Sequence, residues 1–190
     1  MRTRLTTILL FLFALPLTAC GGGMELPHAK PYEVIKVEKA SNSRHWETCA
    51  IFAPEAKTRD EFAHTVMKAA LDIQKETSAK VIVVKLEEDP RVTGKGVLLG
   101  VALYAPDGGG ISGDQGWTWD VKAEDKRHTE DELRATILWY RNRDRFQMLD
   151  SYGGTYTDEE ALFDFIGKTM GISPKDVHLA YWFASGYMKK

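Results

Sequence analysis

The sequence predicts an α+β fold. About five strands form an antiparallel or mixed sheet with one helix packed across a face, and a three-helix C-terminal region follows. Two observations carry this reading. Short runs rich in β-branched residues recur between residues 32 and 124, interrupted by a single apolar stripe at helical period. Beyond Asp125 the texture changes to stretches of helical spacing, each opened by a capping signal. The polar segment KAEDKRHTEDE marks the change, so residues 32–125 read as the α+β domain and 126–190 as the helical region.

Tyr32 to Ala40, YEVIKVEKA, reads as a strand, and SNSR after it as turn chemistry. His45 to Phe52 alternates, with Trp46, Thr48, Ala50 and Phe52 on one face, so the two runs read as a hairpin. Thr58 and Glu61 stand at capping-box spacing: the hydroxyl accepts from the third helical N–H while the carboxylate reaches back. Phe62, Val66, Ala69, Ala70 and Ile73 then form the helix stripe, which ends near Thr77. VIVVKL, Val81 to Leu86, and VLLGVALY, Val97 to Tyr104, are nearly continuous apolar runs, as expected of central strands. After a glycine-rich loop, WTWDVKAE alternates again, placing Trp117, Trp119, Val121 and Ala123 on one face.

In the C-terminal region, Thr129 with Glu132 opens one helix and Thr157 with Glu160 a second, which stops at Gly171. Ser173 and Pro174 open a third, carrying the aromatic run Tyr181, Trp182 and Phe183.

Known catalytic constellations are missing from the chain. GGGISG, Gly108 to Gly113, has the spacing of a dinucleotide loop but precedes a strand, so it lacks the helix N-terminus that would hold a pyrophosphate. There is no P-loop, H-E-x-x-H or G-x-S-x-G motif. His28, His45, His64, His128 and His178 fall at no recognised metal-ligand spacing, so neither metal nor cofactor is expected. A formal net charge of -2 makes the chain a poor nucleic-acid binder. Cys49 lies in a strand-like run, and the expected role is a buried structural thiol.

The first residues, MRTRLTTILLFLFALPLTAC, combine Arg2 and Arg4 with an apolar run from Leu5 to Leu15 that is too short to span a bilayer comfortably. Leu17-Thr18-Ala19-Cys20 resembles a bacterial lipobox. That resemblance implies a signal peptide over residues 1–19, cleavage before Cys20 and acylation of its sulfur, which would join the protein to a lipid bilayer. Residues 20–31, beginning Cys-Gly-Gly-Gly, are expected to be a flexible tether. By the same resemblance, glycine rather than aspartate after Cys20 favours the outer membrane, facing the periplasm.

The strand YEVI, the phrase PEAKTRDE, the helix KAALDIQK and YAPDG before a tryptophan strand resemble a family of bacterial and phage-associated domains of unknown function, DUF4875. The likeness covers about residues 31–124 and carries over no activity and no catalytic residues.

Two places offer contact chemistry. Tyr104, Asp107, Asp114, Trp117 and Trp119 surround the loop 106–116: the tryptophans either form a glycan or protein platform or line the inner face of a strand. Arg141, Arg143 and Arg145 in RNRDR either meet an anionic partner or phospholipid headgroups, or are a solvated helix end. The expected function is a non-enzymatic, membrane-anchored, periplasm-facing binding or accessory module with an envelope protein partner, its sharper form being exclusion or immunity. The alternatives are an envelope hydrolase with an unrecognised site, and a glycan or small-ligand binder using the loop 106–116.

Overall fold

The computed structural model describes residues 24–40, 44–77 and 79–190. Eleven helices and strands follow one another among these residues. The first part of the chain supplies β1 (Glu33–Ala40), β2 (Trp46–Phe52), α1 (Arg59–Thr77), β3 (Val81–Glu87), β4 (Leu98–Tyr104) and β5 (Trp119–Ala123). The second part supplies α2 (Glu130–Asn142), β6 (Gln147–Leu149), β7 (Thr155–Thr157), α3 (Glu159–Met170) and β8 (Ser185–Lys189).

Six strands form a mixed sheet in the order β1-β2-β3-β4-β5-β8. The β1–β2 hairpin is antiparallel, as its turn chemistry predicts. Only β2 and β3 run parallel, and α1 is the crossover that parallel pairing requires. β3, β4, β5 and β8 then pair antiparallel. The expected α+β class, with one helix across a mixed sheet, is the architecture found.

One core lies between α1 and the sheet. Phe62, Val66, Met67, Ala70 and Ile73 pack against Cys49, Ile51, Ile82, Val84, Leu86, Leu99, Ala102 and Val121. The helix runs so close to β4 that a Cβ on Gly100 would lie 3.4 Å from the Phe62 carbonyl oxygen. Cys49 is buried in this core, and burial pushes its thiol pKa up to about 11, as suits an inert structural group.

The α1 capping box forms as expected: Glu61 N–H donates to Thr58 Oγ1 (3.3 Å) and Thr58 N–H to Glu61 Oε2 (3.1 Å). Lys30 pairs with the same carboxylate at 2.8 Å. With the Lys57 and Thr58 N–H groups it holds the Glu61 pKa down to about 2. Residues in the stretch expected to continue the tether are therefore docked on α1. Leu26 packs against the core, His28 N–H donates to His64 Nδ1 (3.3 Å) and Lys30 N–H to Thr65 Oγ1 (2.9 Å).

The second part departs from expectation in three places. The cap of α3 is Asp158 rather than Thr157, with Asp158 Oδ1 accepting from Ala161 N–H at 3.0 Å. Between α2 and α3 the chain makes a 3-10 turn, Arg143–Phe146, and the β6–β7 hairpin. The helix expected from Ser173 is a single 3-10 turn, Pro174–Asp176, after which the chain extends and ends as β8. Ser173 and Pro174 do start a turn, but tertiary partners take the backbone groups that follow. Ala180 N–H donates to Thr136 Oγ1, Phe183 N–H to Glu124 Oε1, and residues 185–189 fill the open edge of β5. Among the described residues no helix is long and apolar enough to cross a membrane.

Candidate functional site: an exposed apolar hairpin

The glycine-rich loop and its tryptophans turn inward. Trp119 is 4% exposed and stacks on Tyr104, ring centroids 4.1 Å apart. Trp117 is buried beneath the loop, with Lys189 Nζ 5.8 Å from its ring centroid. Neither indole forms a surface platform, because alternation along β5 sends Trp119, Val121 and Ala123 to the α1 side.

Two of the loop's glycines, Gly109 and Gly113, make room for Arg44. A Cβ on Gly109 would lie 2.7 Å from an Arg44 terminal nitrogen, and one on Gly113 2.6 Å from the same atom. The guanidinium thus occupies the room those residues leave, and it reaches Asp107 Oδ1 at 2.8 Å. The Gly109 N–H and then Arg44 hold the Asp107 carboxyl below its ordinary range. Asp114 accepts from Ser112 Oγ at 2.6 Å within the loop.

Two polar clusters elsewhere stitch segments together. Tyr187 Oη donates to Asp60 Oδ1 (3.0 Å) and lies 3.3 Å from His64 Nε2. Because His64 Nδ1 accepts from His28 N–H, its proton sits on Nε2 in the neutral ring. Burial, then His28, lowers the His64 pKa, and burial raises that of Tyr187. A tyrosine held protonated is a poor nucleophile, so this cluster reads as a clasp joining the N-terminal segment, α1 and β8. The second cluster centres on Glu88, which binds Arg127 Nη1 (2.9 Å) and His128 Nδ1 (3.1 Å). Among the described residues no group of three or more His, Cys, Asp or Glu could hold a metal ion.

Exposed apolar side chains cluster on β6–β7, and others lie on β1 (Val34, Ile35, Val37) and at Tyr181 and Phe183. Met148 faces Tyr156 across the ladder and Leu149 faces Thr155. Leu149 is 73% exposed, Tyr152 96%, and Met148 and Tyr156 about half. A hairpin showing this much apolar surface is costly unless something covers it.

It is also rigidly built. Asp150 Oδ1 accepts from Tyr152 N–H (2.8 Å) and Gly154 N–H (2.7 Å), closing the turn. Gly153 supplies the left-handed φ of 79° that the turn needs. At the base, Gln147 Nε2 donates to Thr157 Oγ1 (2.7 Å) and Asp158 N–H to the Phe146 carbonyl (2.8 Å). Phe146 packs on Phe165, centroids 5.7 Å apart.

The RNRDR run supports this base. The Arg143 guanidinium lies 4.8 Å from the Trp139 ring centroid, and that of Arg145 lies 5.3 Å from Phe165. Arg145 also donates to Asn142 Oδ1 at 2.9 Å. Arg141 stands apart, on a groove beside α2. Sequence reasoning singles out these arginines but misses the hairpin. The available signal is QML and TYT flanking the turn residues DSYGG. Cys20 lies outside the described residues.

A family model described as a domain of unknown function, DUF4875, matches residues 27–183, well beyond the span over which the sequence motifs are evident. No curated protein matches. Among solved structures, the chain is similar to the crystal structure of a DUF487 family protein from Desulfovibrio piger ATCC 29098. The identity is 26%, covering 84% of this chain and 96% of that one, with a TM-score of 0.72.

Proposed function

Starting from a chain that belongs to the DUF4875 family of domains of unknown function, we propose that it is a lipid-tethered, non-enzymatic binding module that docks a protein partner through the β6–β7 hairpin. The observation that carries this reading is the pairing of high exposure with a rigid base. Leu149 and Tyr152 offer apolar and aromatic area, while Asp150 and the Phe146–Phe165 contact fix its shape beforehand. A pre-ordered aromatic anchor loses little conformational entropy on binding, which is what interface hot spots require.

The tether belongs to the same reading. Acylation of Cys20 would leave five residues before Leu26, which packs on the core, so the domain would sit within about 20 Å of the bilayer. Glycine at position 21 supports the periplasmic leaflet of the outer membrane, and the partner is then another envelope protein. Exclusion or immunity is the sharper form of such a role.

Two measurements test these parts separately. Cys20→Ser is expected to leave the precursor unprocessed and to shift it out of the membrane fraction. Unchanged processing and fractionation would refute the tether. Leu149→Ser with Tyr152→Ser is expected to leave folding stability within about 0.5 kcal/mol, because both side chains are exposed. The same pair should abolish the protein's crosslinked adducts in intact cells. Adducts that persist undiminished would move the contact surface elsewhere.

A further inference from the structure

A groove of about 290 Å³ runs between the 3-10 turn Pro90–Val92 and α2. Its rim carries the exposed Arg91, Arg134 and Arg141 with Glu130, and its apolar lining is Leu133 and Leu138 over the buried Ile137. Positions 130, 134, 137 and 141 recur at helical spacing, so they share one face of α2. Arg91 is fixed in place: its Nε and Nη2 donate to the two oxygens of Asp89 at 2.8 and 2.6 Å. Among the described residues no carboxylate lies within ion-pair distance of Arg134 or Arg141.

We infer that this groove is a binding site for the headgroup of an anionic phospholipid. Guanidinium groups match phosphate oxygens with paired donors, and they are weakly hydrated enough to take up such a group at modest cost. A free anion would have no use for the apolar lining. A phosphate joined to an acyl glycerol uses both halves, its oxygens meeting Arg134 and Arg141 and its first methylenes covering the half-buried Leu133 and Leu138. With Asp89, which holds Arg91 and also feels Arg141, and Glu130 both counted, the groove still carries one guanidinium more than carboxylate, against a chain of net charge -2. The inference rests on the tether proposed above, which brings the domain within reach of a bilayer.

The test uses the full, lipidated chain in nanodiscs of phosphatidylcholine alone or with about 30% phosphatidylglycerol, read by amide hydrogen exchange. The expected result is about tenfold slower exchange across residues 133–141 in the anionic discs only. Arg134→Gln with Arg141→Gln should remove that slowing while leaving thermal unfolding unchanged. Equal exchange in both discs, or slowing that survives the double substitution, overturns the inference. Equal slowing by inorganic phosphate added to neutral discs overturns the lipid source. Slowing that needs the hairpin's partner instead of anionic lipid assigns the groove to a protein and also overturns it. A chain absent from both kinds of disc reports failure of the tether, whereas a chain present in both with equal exchange reports failure of the groove.

Discussion

Trp119→Ala is expected to lower folding stability by about 3–5 kcal/mol, the cost of deleting a buried aromatic ring and leaving a cavity. Trp119 is 4% exposed and belongs to the cluster that α1 closes over the sheet. Its ring stacks on Tyr104 with an interplanar angle of 22°, and the two residues are register partners on β5 and β4. Its backbone also pairs with the chain terminus: Lys190 N–H donates to the Trp119 carbonyl at 3.0 Å, and Trp119 N–H to the Lys190 carbonyl. The vacated space cannot collapse easily, because β strands on both sides of β5 are fixed by their ladders. Urea unfolding measures the loss directly. A change below about 1 kcal/mol, in a variant that loses its crosslinked adducts, would make Trp119 an interface residue instead.

Glu88→Ala is expected to cost a similar amount, about 3–5 kcal/mol, because it leaves a partly buried cation and a histidine without their shared carboxylate. Glu88 is 4% exposed and meets both Arg127 and His128. Arg127 is not free to turn outward: it donates to the Ala56 and Ala53 carbonyls, both at 2.8 Å, and lies over Phe62. His128 Nε2 completes the link at the Tyr181 carbonyl, 2.9 Å away. The cluster thus joins the end of β3, the entry to α2 and the segment leading to β8.

The same cluster sets a pH dependence. The hydrogen bond to Glu88 raises the His128 pKa, against burial, which lowers it; Tyr181 and the charges of Glu88 and Glu124 add to the rise. A raised histidine favours the folded state fully below its unfolded pKa of about 6.5, and that contribution disappears as pH rises through the folded value. His64 is shifted downward, so its contribution has the opposite sign: present above about 6.5 and lost as pH falls through its folded value. The difference between the parent and His128→Gln isolates one histidine from the other. The parent's advantage should shrink as pH rises above about 6.5. An advantage that stays constant with pH would mean that folding leaves the His128 pKa unshifted, and one that grows as pH rises through about 6.5 would mean that His128 is held neutral in the fold.

The parts of this molecule legible in its sequence are those decided locally. Thr58 with Glu61 and Thr129 with Glu132 form their capping boxes, since each pair lies within one helical turn. Gly171 ends α3 with a φ of 76°, the conformation glycine tolerates best. The α1 stripe and the alternation of β5 likewise follow from side-chain periodicity. What is not legible depends on distant partners. Nothing near Gly109 or Gly113 announces that Arg44 will occupy the space they leave. Tyr181 to Phe183 have aromatic side chains compatible with either helix or extended chain, and the open edge of β5 decides. The loop 106–116 invites a functional reading because it is long and glycine-rich, yet its polar groups are largely spent on one another and on Arg44. The hairpin is hard to read for a different reason. Its strands are three residues each, too short for alternation to register, and it is the fixed base at Phe146 and Gln147 that gives it form.

The central claim, that β6–β7 is the contact surface, is tested most directly by photocrosslinking in intact cells with a photoreactive residue placed at 152, 149 or, as a control, 122. Lys122 is exposed on β5, on the opposite side of the strand from its buried face. A discrete protein adduct from 152 and 149, absent from 122, is the expected result. Adducts from 122 alone, or none from either hairpin position while the protein remains folded and membrane-bound, would contradict it.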